Sequence, residues 1–179
     1  MVTSRRPAGR IKGLGGVRGH PRRIVTVRDS DAAVLRRRSR PIRTVDRTTR
    51  QLAADMLVSM RRAQGIGLAA PQIGVPVRLF VADIGRGPVA VINPRVRRRR
   101  GSLVGVEGCL SIPGVYGDVR RARTIDVEGR DLRGRRIVVT SEDLLARVVQ
   151  HEIDHLNGVL FVDPGRLLRR RRRHVRRVG

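Results

Sequence analysis

Apolar and polar positions run along this chain in two rhythms, and the change from one to the other marks its elements. Over residues 46–64, Leu52, Ala53, Met56, Leu57, Met60 and Ala63 fall on one helical stripe with arginines opposite, which predicts an amphipathic helix ended by Gly65. Leu144, Leu145, Val148, Val149, Ile153 and Leu156 repeat that spacing and predict a second helix. Thr140 or Ser141 is placed to cap it, Glu142 and Asp143 fall in its first turn, and Asn157-Gly158 is its stop signal. The remaining runs are short. Strands are expected at 24–27, 77–84, 89–92, 125–128, 135–139 and 159–162, with a hairpin turn at Asp131-Leu132-Arg133-Gly134. Asn93-Pro94 is expected to close the third of these strands and 97–100 to be a basic turn. Residues 29–43 read as loop, and Leu167 and Leu168 give the C-terminal segment some helical potential.

Length and composition narrow the class. A chain of 179 residues is one domain by default, and a 40% hydrophobic content is enough for a core. Aromatics make up 2%, so that core is built from Val, Leu, Ile and Ala. The single cysteine forbids an internal disulfide and fits a reducing compartment. No apolar run reaches membrane-span length, and no signal-peptide pattern opens the chain, so no membrane partner is expected. Residues 1–23 are rich in Arg and Gly without an acidic residue and read as a disordered basic arm, 24–164 as the catalytic body, and 165–179 as an arginine tail. A cytoplasmic location is expected, or an organellar one if the arm is a transit peptide, whose acid-poor look it shares. The net charge of +25 favours nonspecific attraction to RNA through the basic tails. Lys12 is the only lysine, a skew that also reflects arginine bias, and no aromatics interleave the arginines to stack on bases. Oligomeric state is not legible.

The densest chemistry lies at Gln150-His151-Glu152-Ile153-Asp154-His155, which contains H-E-x-x-H. On a helix, His151 and His155 point the same way and can share one metal ion, with Glu152 within reach of a water there and suited to act as a base. A catalytic metal of this kind has three protein ligands. The continuation H-x-x-G-x-x-H found in one protease class is met at Gly158 but fails at Phe161, and no glutamate follows Glu152. The third ligand is therefore sought upstream, where Cys109, in Glu107-Gly108-Cys109-Leu110-Ser111, is the leading candidate for zinc or ferrous iron. Upstream again, Gly65-Ile66-Gly67-Leu68-Ala69-Ala70-Pro71-Gln72 is a small-residue loop. It lacks the Lys-Ser/Thr of a phosphate-binding loop, but it lets a substrate backbone lie close, and Gln72 can donate a hydrogen bond to a developing oxyanion.

These three segments, in this order, resemble the peptide deformylases over about residues 24–164. The resemblance implies an α+β fold in which antiparallel sheets surround a central metal-binding helix. It implies ferrous iron, replaceable by zinc, nickel or cobalt, held by Cys109, His151 and His155. The implied reaction is hydrolysis of the N-formyl group from the initiator methionine of nascent polypeptides, releasing formate. Glu152 would be the base, and the Leu110 N–H and the Gln72 amide would hold the oxyanion. Gly67 and Gly108 would meet the peptide backbone, while Ile66, Leu144 and Val148 would line the methionine pocket. Arg147 stands where an aliphatic residue occurs in that pocket, so its guanidinium must turn outward or the pocket is altered. Glu107 needs a cationic partner if buried, and Arg121 is the candidate. The alternatives are a metalloprotease of the H-E-x-x-H type and an inactive, basic, ribosome-associated protein.

Overall fold

The computed structural model describes residues 13, 14 and 16–171. Its elements run α1 (Arg47–Arg62), β1 (Gly67–Ala69), β2 (Leu79–Ala82), β3 (Val89–Arg100), β4 (Leu103–Cys109), β5 (Ile112–Arg121), β6 (Thr124–Arg130), β7 (Arg136–Glu142), α2 (Asp143–Leu156) and β8 (Leu167–Arg171). A five-stranded sheet has the order β1-β2-β3-β6-β7 and a three-stranded sheet the order β4-β5-β8, and every pair in them is antiparallel. This is the α+β arrangement the sequence predicts.

Residue alternation explains why the larger sheet takes a helix on each face. Along β2, Leu79 and Val81 join α1 in one apolar cluster, while Phe80 and Ala82 join α2 in another. A strand buried on both sides reads as a continuous apolar run, as 77–84 does. The smaller sheet packs Ile112 and Val119 on Leu160 and Phe161 in a third cluster. Both helix predictions hold, with one correction. Asp46 caps α1 by accepting from the Thr49 N–H at 2.8 Å. At α2, however, Glu142 takes the N-cap position, and Thr140 and Ser141 still belong to β7. Gly158 ends α2 with φ +76, and a Cβ there would lie 2.3 Å from the Arg36 carbonyl oxygen, so both conformation and space demand glycine.

Four other predictions are overturned. Asn93-Pro94 does not close β3, because Asn93, at φ +52, bonds both backbone groups of Ile42 through its side chain, and the strand runs on through irregular pairing with β6. Residues 97–100 are therefore strand, and the turn lies at Gly101-Ser102. Residues 24–27 bond the Gln72 and Ser111 carbonyls through Val25 and Val27 without forming a named strand. Residues 159–162 are turn and coil that place Leu160 and Phe161 in the third cluster.

The expected tails are also shorter than composition suggests. Leu167–Arg171 is β8, extended along β5 rather than helical. At the other end, the His20 N–H donates to Asp55 and the Arg22 N–H to Ser59, so part of the expected arm is strapped to α1. The rest of both expected tails, residues 1–12, 15 and 172–179, lies outside the described residues. Ending the chain at Gly165 removes β8 and uncovers the third cluster. That deletion should cost about 2–3 kcal/mol and lower the melting temperature by about 4–10 °C, read by calorimetry against the full chain.

Candidate metal centre and active cleft

Two elements build the centre. One turn of α2 brings His151 and His155 to the same face, and β4 delivers Cys109 at its last residue. One ligand atom from each of the three lies within 4.8 Å of the others. The Cys109 Sγ is 3.2 Å from His155 Nε2, and the two imidazoles meet edge to face with centroids 4.9 Å apart. A soft thiolate and two imidazoles converging in this way fit a zinc-like or ferrous ion. Glu152 Oε2 is among four buried side-chain polar atoms that lack a partner among the described residues, and His155 Nδ1 is another. An orphan carboxylate oxygen beside three ligand atoms is what a water at that centre would satisfy.

Behind the ligands stands a buried ionic node. Glu107 accepts from Arg121 through both oxygens, at 2.8 and 2.9 Å, and from Arg147 at 2.9 Å. Its Oε2 also lies 2.9 Å from His151 Nδ1. With Nδ1–H donating there, His151 Nε2 keeps its lone pair for a metal. Arg121 reaches on to Asp154. The expected Glu107–Arg121 pair is thus present. Burial alone would raise the Glu107 pKa, but Arg121 and His151 outweigh it and hold the carboxyl at about 2. The Arg121 guanidinium is raised by Glu107 against the effect of burial. Burial pushes Glu152 up to about 7. It also holds His155 well below its usual value, helped by the neighbouring His151; burial works against His151 too, but hydrogen bonds to Cys109 and Glu107 outweigh it and carry His151 well above its own, and a metal on Nε2 would take the place of that added proton.

A cleft of about 380 Å³ opens beside the centre. Ile66, Gly67, Gln72, Gly108, Cys109, Leu110, Leu144, Val148, His151 and Glu152 all line it, and His155 is buried behind. Gly67 is there for space: a Cβ would lie 2.3 Å from Glu152 Oε1 and 2.7 Å from a Val148 methyl. Gln72 caps its own turn by accepting the Ala69 N–H at 2.8 Å, which aims its NH₂ at the Cys109 Sγ (3.5 Å) and the Ser111 Oγ (3.2 Å).

Arg147 does not turn outward. It is buried, and its guanidinium donates to Glu107 and to the carbonyls of Leu103, Gly105 and Val119, tying α2 to β4 and β5. A Cβ at Gly105 would come within 2.8 Å of it. The pocket wall is therefore altered, with an arginine where an aliphatic side chain was the alternative. Sequence reasoning also passed over Tyr116, which lines the cleft across from Gly108, and Asp154. Gly108 was the available signal for Tyr116, since a Cβ there would lie 2.7 Å from its ring, whereas Asp154 had no such signal.

The family model for polypeptide deformylases matches residues 21–171. The chain is 46% identical over 140 residues to "Peptide deformylase 1" of Clostridium acetobutylicum, covering 78% of this chain and 93% of that one. The crystal structure of a peptide deformylase from Thermotoga maritima superposes with a TM-score of 0.78 at 41% identity, covering 83% of this chain and 98% of that one. A peptide deformylase from Synechococcus elongatus in complex with actinonin gives 0.77 at 40% identity, covering 93% and 86%.

The ionic node makes its own prediction. Glu107→Gln leaves two buried guanidiniums without their shared carboxylate and should destabilise the fold by about 3–5 kcal/mol in denaturant titration, with weakened metal retention. Because the Glu107 pKa is depressed from 4.5 to about 2, its stabilisation is complete above pH 4.5 and is lost as pH falls toward 2. The wild type should therefore lose stability across that window more steeply than Glu107→Gln.

Proposed function

From the premise that the chain belongs to the peptide deformylase family, we propose how its own residues carry out the family's reaction. It is a hydrolase acting on the N-formyl group of nascent polypeptides, with formate and a free amino terminus as products. The observation that carries the residue assignment is the convergence of Cys109, His151 and His155 at the wall of one cleft that Glu152 and Gln72 also line.

Cys109, His151 and His155 hold the metal. The donor set suits ferrous iron, with zinc, nickel or cobalt as substitutes. A divalent ion there would supply Lewis acidity, lowering the pKa of a water, polarising the formyl carbonyl and favouring the ionised form of Glu152. Glu152 takes the proton of the attacking water and delivers it to the leaving amine, a role suited to a carboxyl that burial brings to about 7. The Gln72 amide and the Leu110 N–H donate to the oxygen on which charge develops. Among the described strands the outer edges of β1 and β4 have no neighbour, and they offer Gly67 and Gly108 to the peptide backbone, as an added strand would require. Ile66, Leu144 and Val148 take the methionine side chain. The lone thiol ligand suits a reducing cytoplasm. The charge of +25 supports contact with ribosomal phosphate through the chain ends. The protease alternative has no downstream third ligand in its favour.

Formate release from formyl-Met-Ala-Ser by anaerobically purified protein tests the reading. Glu152→Gln should keep its metal and lose at least about 100-fold in kcat, because an amide cannot accept the proton. Undiminished turnover would reassign the base. Cys109→Ala should lose stoichiometric metal by elemental analysis, since two imidazoles alone hold an ion weakly. The iron form should lose activity in air through oxidation of the metal or of Cys109, while zinc- and nickel-loaded forms persist. Equal decay of all three would contradict an iron–thiolate centre.

A further inference from the structure

A second cleft, of about 440 Å³, lies on the other side of α2. Gln150, Ile153, Asp154 and Asn157 face it, whereas Leu144, Val148, His151 and Glu152 face the active cleft. Four arginines line the second cleft, Arg99, Arg120, Arg121 and Arg166, against one carboxylate, Asp154. That carboxylate is already committed, to Arg121 and, at 3.6 Å, to Arg166. Arg120 reaches the Ser102 hydroxyl at 3.3 Å, and neither Arg120 nor Arg99 has a carboxylate partner among the described residues.

Arg99 is present because of the irregular register of β3. Val96 pairs with Val127, Arg98 with Asp126 and Arg99 with Ile125, so one extra residue sits between Val96 and Arg98. Ile125 and Val127 face the cluster under α2. The bulge therefore puts Arg99 on the inner face with Val96, while Arg98 and Arg100 share the outer face with Asp126, which Arg100 pairs at 2.8 Å. A regular strand would have sent Arg99 outward.

We propose that this cleft binds a phosphate-bearing anion, with Arg99, Arg120 and Arg166 as the groups that hold it. A concave wall with guanidiniums in excess focuses positive potential, and the planar fork matches phosphate oxygens. The competing account is that Arg99 is an inward charge guarding the end of β3, which beyond Pro94 pairs with β6 alone among the described strands.

The test is calorimetric titration of the metal-loaded full chain with inorganic pyrophosphate at physiological ionic strength. Saturable binding of one pyrophosphate per chain is expected. Arg99→Gln with Arg120→Gln should weaken it at least about 10-fold, the loss of charge-assisted hydrogen bonds worth about 1.4 kcal/mol or more. Arg95→Gln with Arg98→Gln removes the same charge from the outer face and should change the affinity by less than about 2-fold, since charges outside the cleft are screened. Turnover of formyl-Met-Ala-Ser should stay at the wild-type level in both pairs, because none of these residues lines the active cleft. Competition by a short RNA would identify nucleic-acid backbone as the source of the phosphate, and absence of competition a free oligophosphate. Absence of saturable binding, or equal weakening by both pairs, would overturn the proposal and leave the guarding account.

Discussion

The buried carboxylate of Glu107 is the group on which the rest of the site depends. It comes from β4, its two guanidinium partners come from β5 and α2, and the imidazole it orients belongs to α2. A lone carboxylate in that position would be costly or protonated, and either would free His151 to turn. Held ionised between Arg121 and Arg147, it instead fixes Nδ1 of His151 toward itself and leaves Nε2 for the proposed metal. The same node joins the small sheet to the helix, so the cysteine ligand and the histidine ligands, carried on different elements, are brought into register by the group that tunes one of them.

The larger sheet supplies the rigidity behind this. With α1 on one face and α2 on the other, β1 and β2 have little freedom to move. That leaves β1 as a firm edge beside the cleft, with the turn carrying Gln72 directly after it. Residues 24–27 brace that turn and the one carrying Ser111 through single backbone hydrogen bonds. Gln72 and the cysteine loop thus share a support that has no regular secondary structure of its own.

Both helices, the α+β class and the meeting of Cys109 with His151 and His155 were legible in the sequence, because each rests on spacing within one segment or on side chains whose chemistry has few other uses. What could not be read was set by distant partners. Asn93-Pro94 looks like a stop until Ile42 takes up the Asn93 amide. Arginines at 97–100 and 169–171 look like solvated runs, yet pairing with β6 and β5 makes them strand. Arg147 violates the apolar face of its helix, and only the acceptors of β4 and β5 explain how a guanidinium is accommodated there. Local pattern reports local preference, and in each of these cases a partner from another segment overrode it.

Gln72 shows how polarity, rather than shape, can constrain a position. Its carbonyl is consumed by the Ala69 N–H, so the amide cannot flip, and its two hydrogens point permanently toward sulfur and hydroxyl. Glutamate has nearly the same outline and would fit the same space. It would, however, set a negative oxygen about where an NH₂ now lies 3.5 Å from the Cys109 sulfur, turning a donor into a repelling neighbour of the thiolate proposed to hold the metal. In the proposed mechanism a single deamidation here, the exchange of one nitrogen for one oxygen, would therefore act as a lesion that keeps the outline of the side chain and removes its donor.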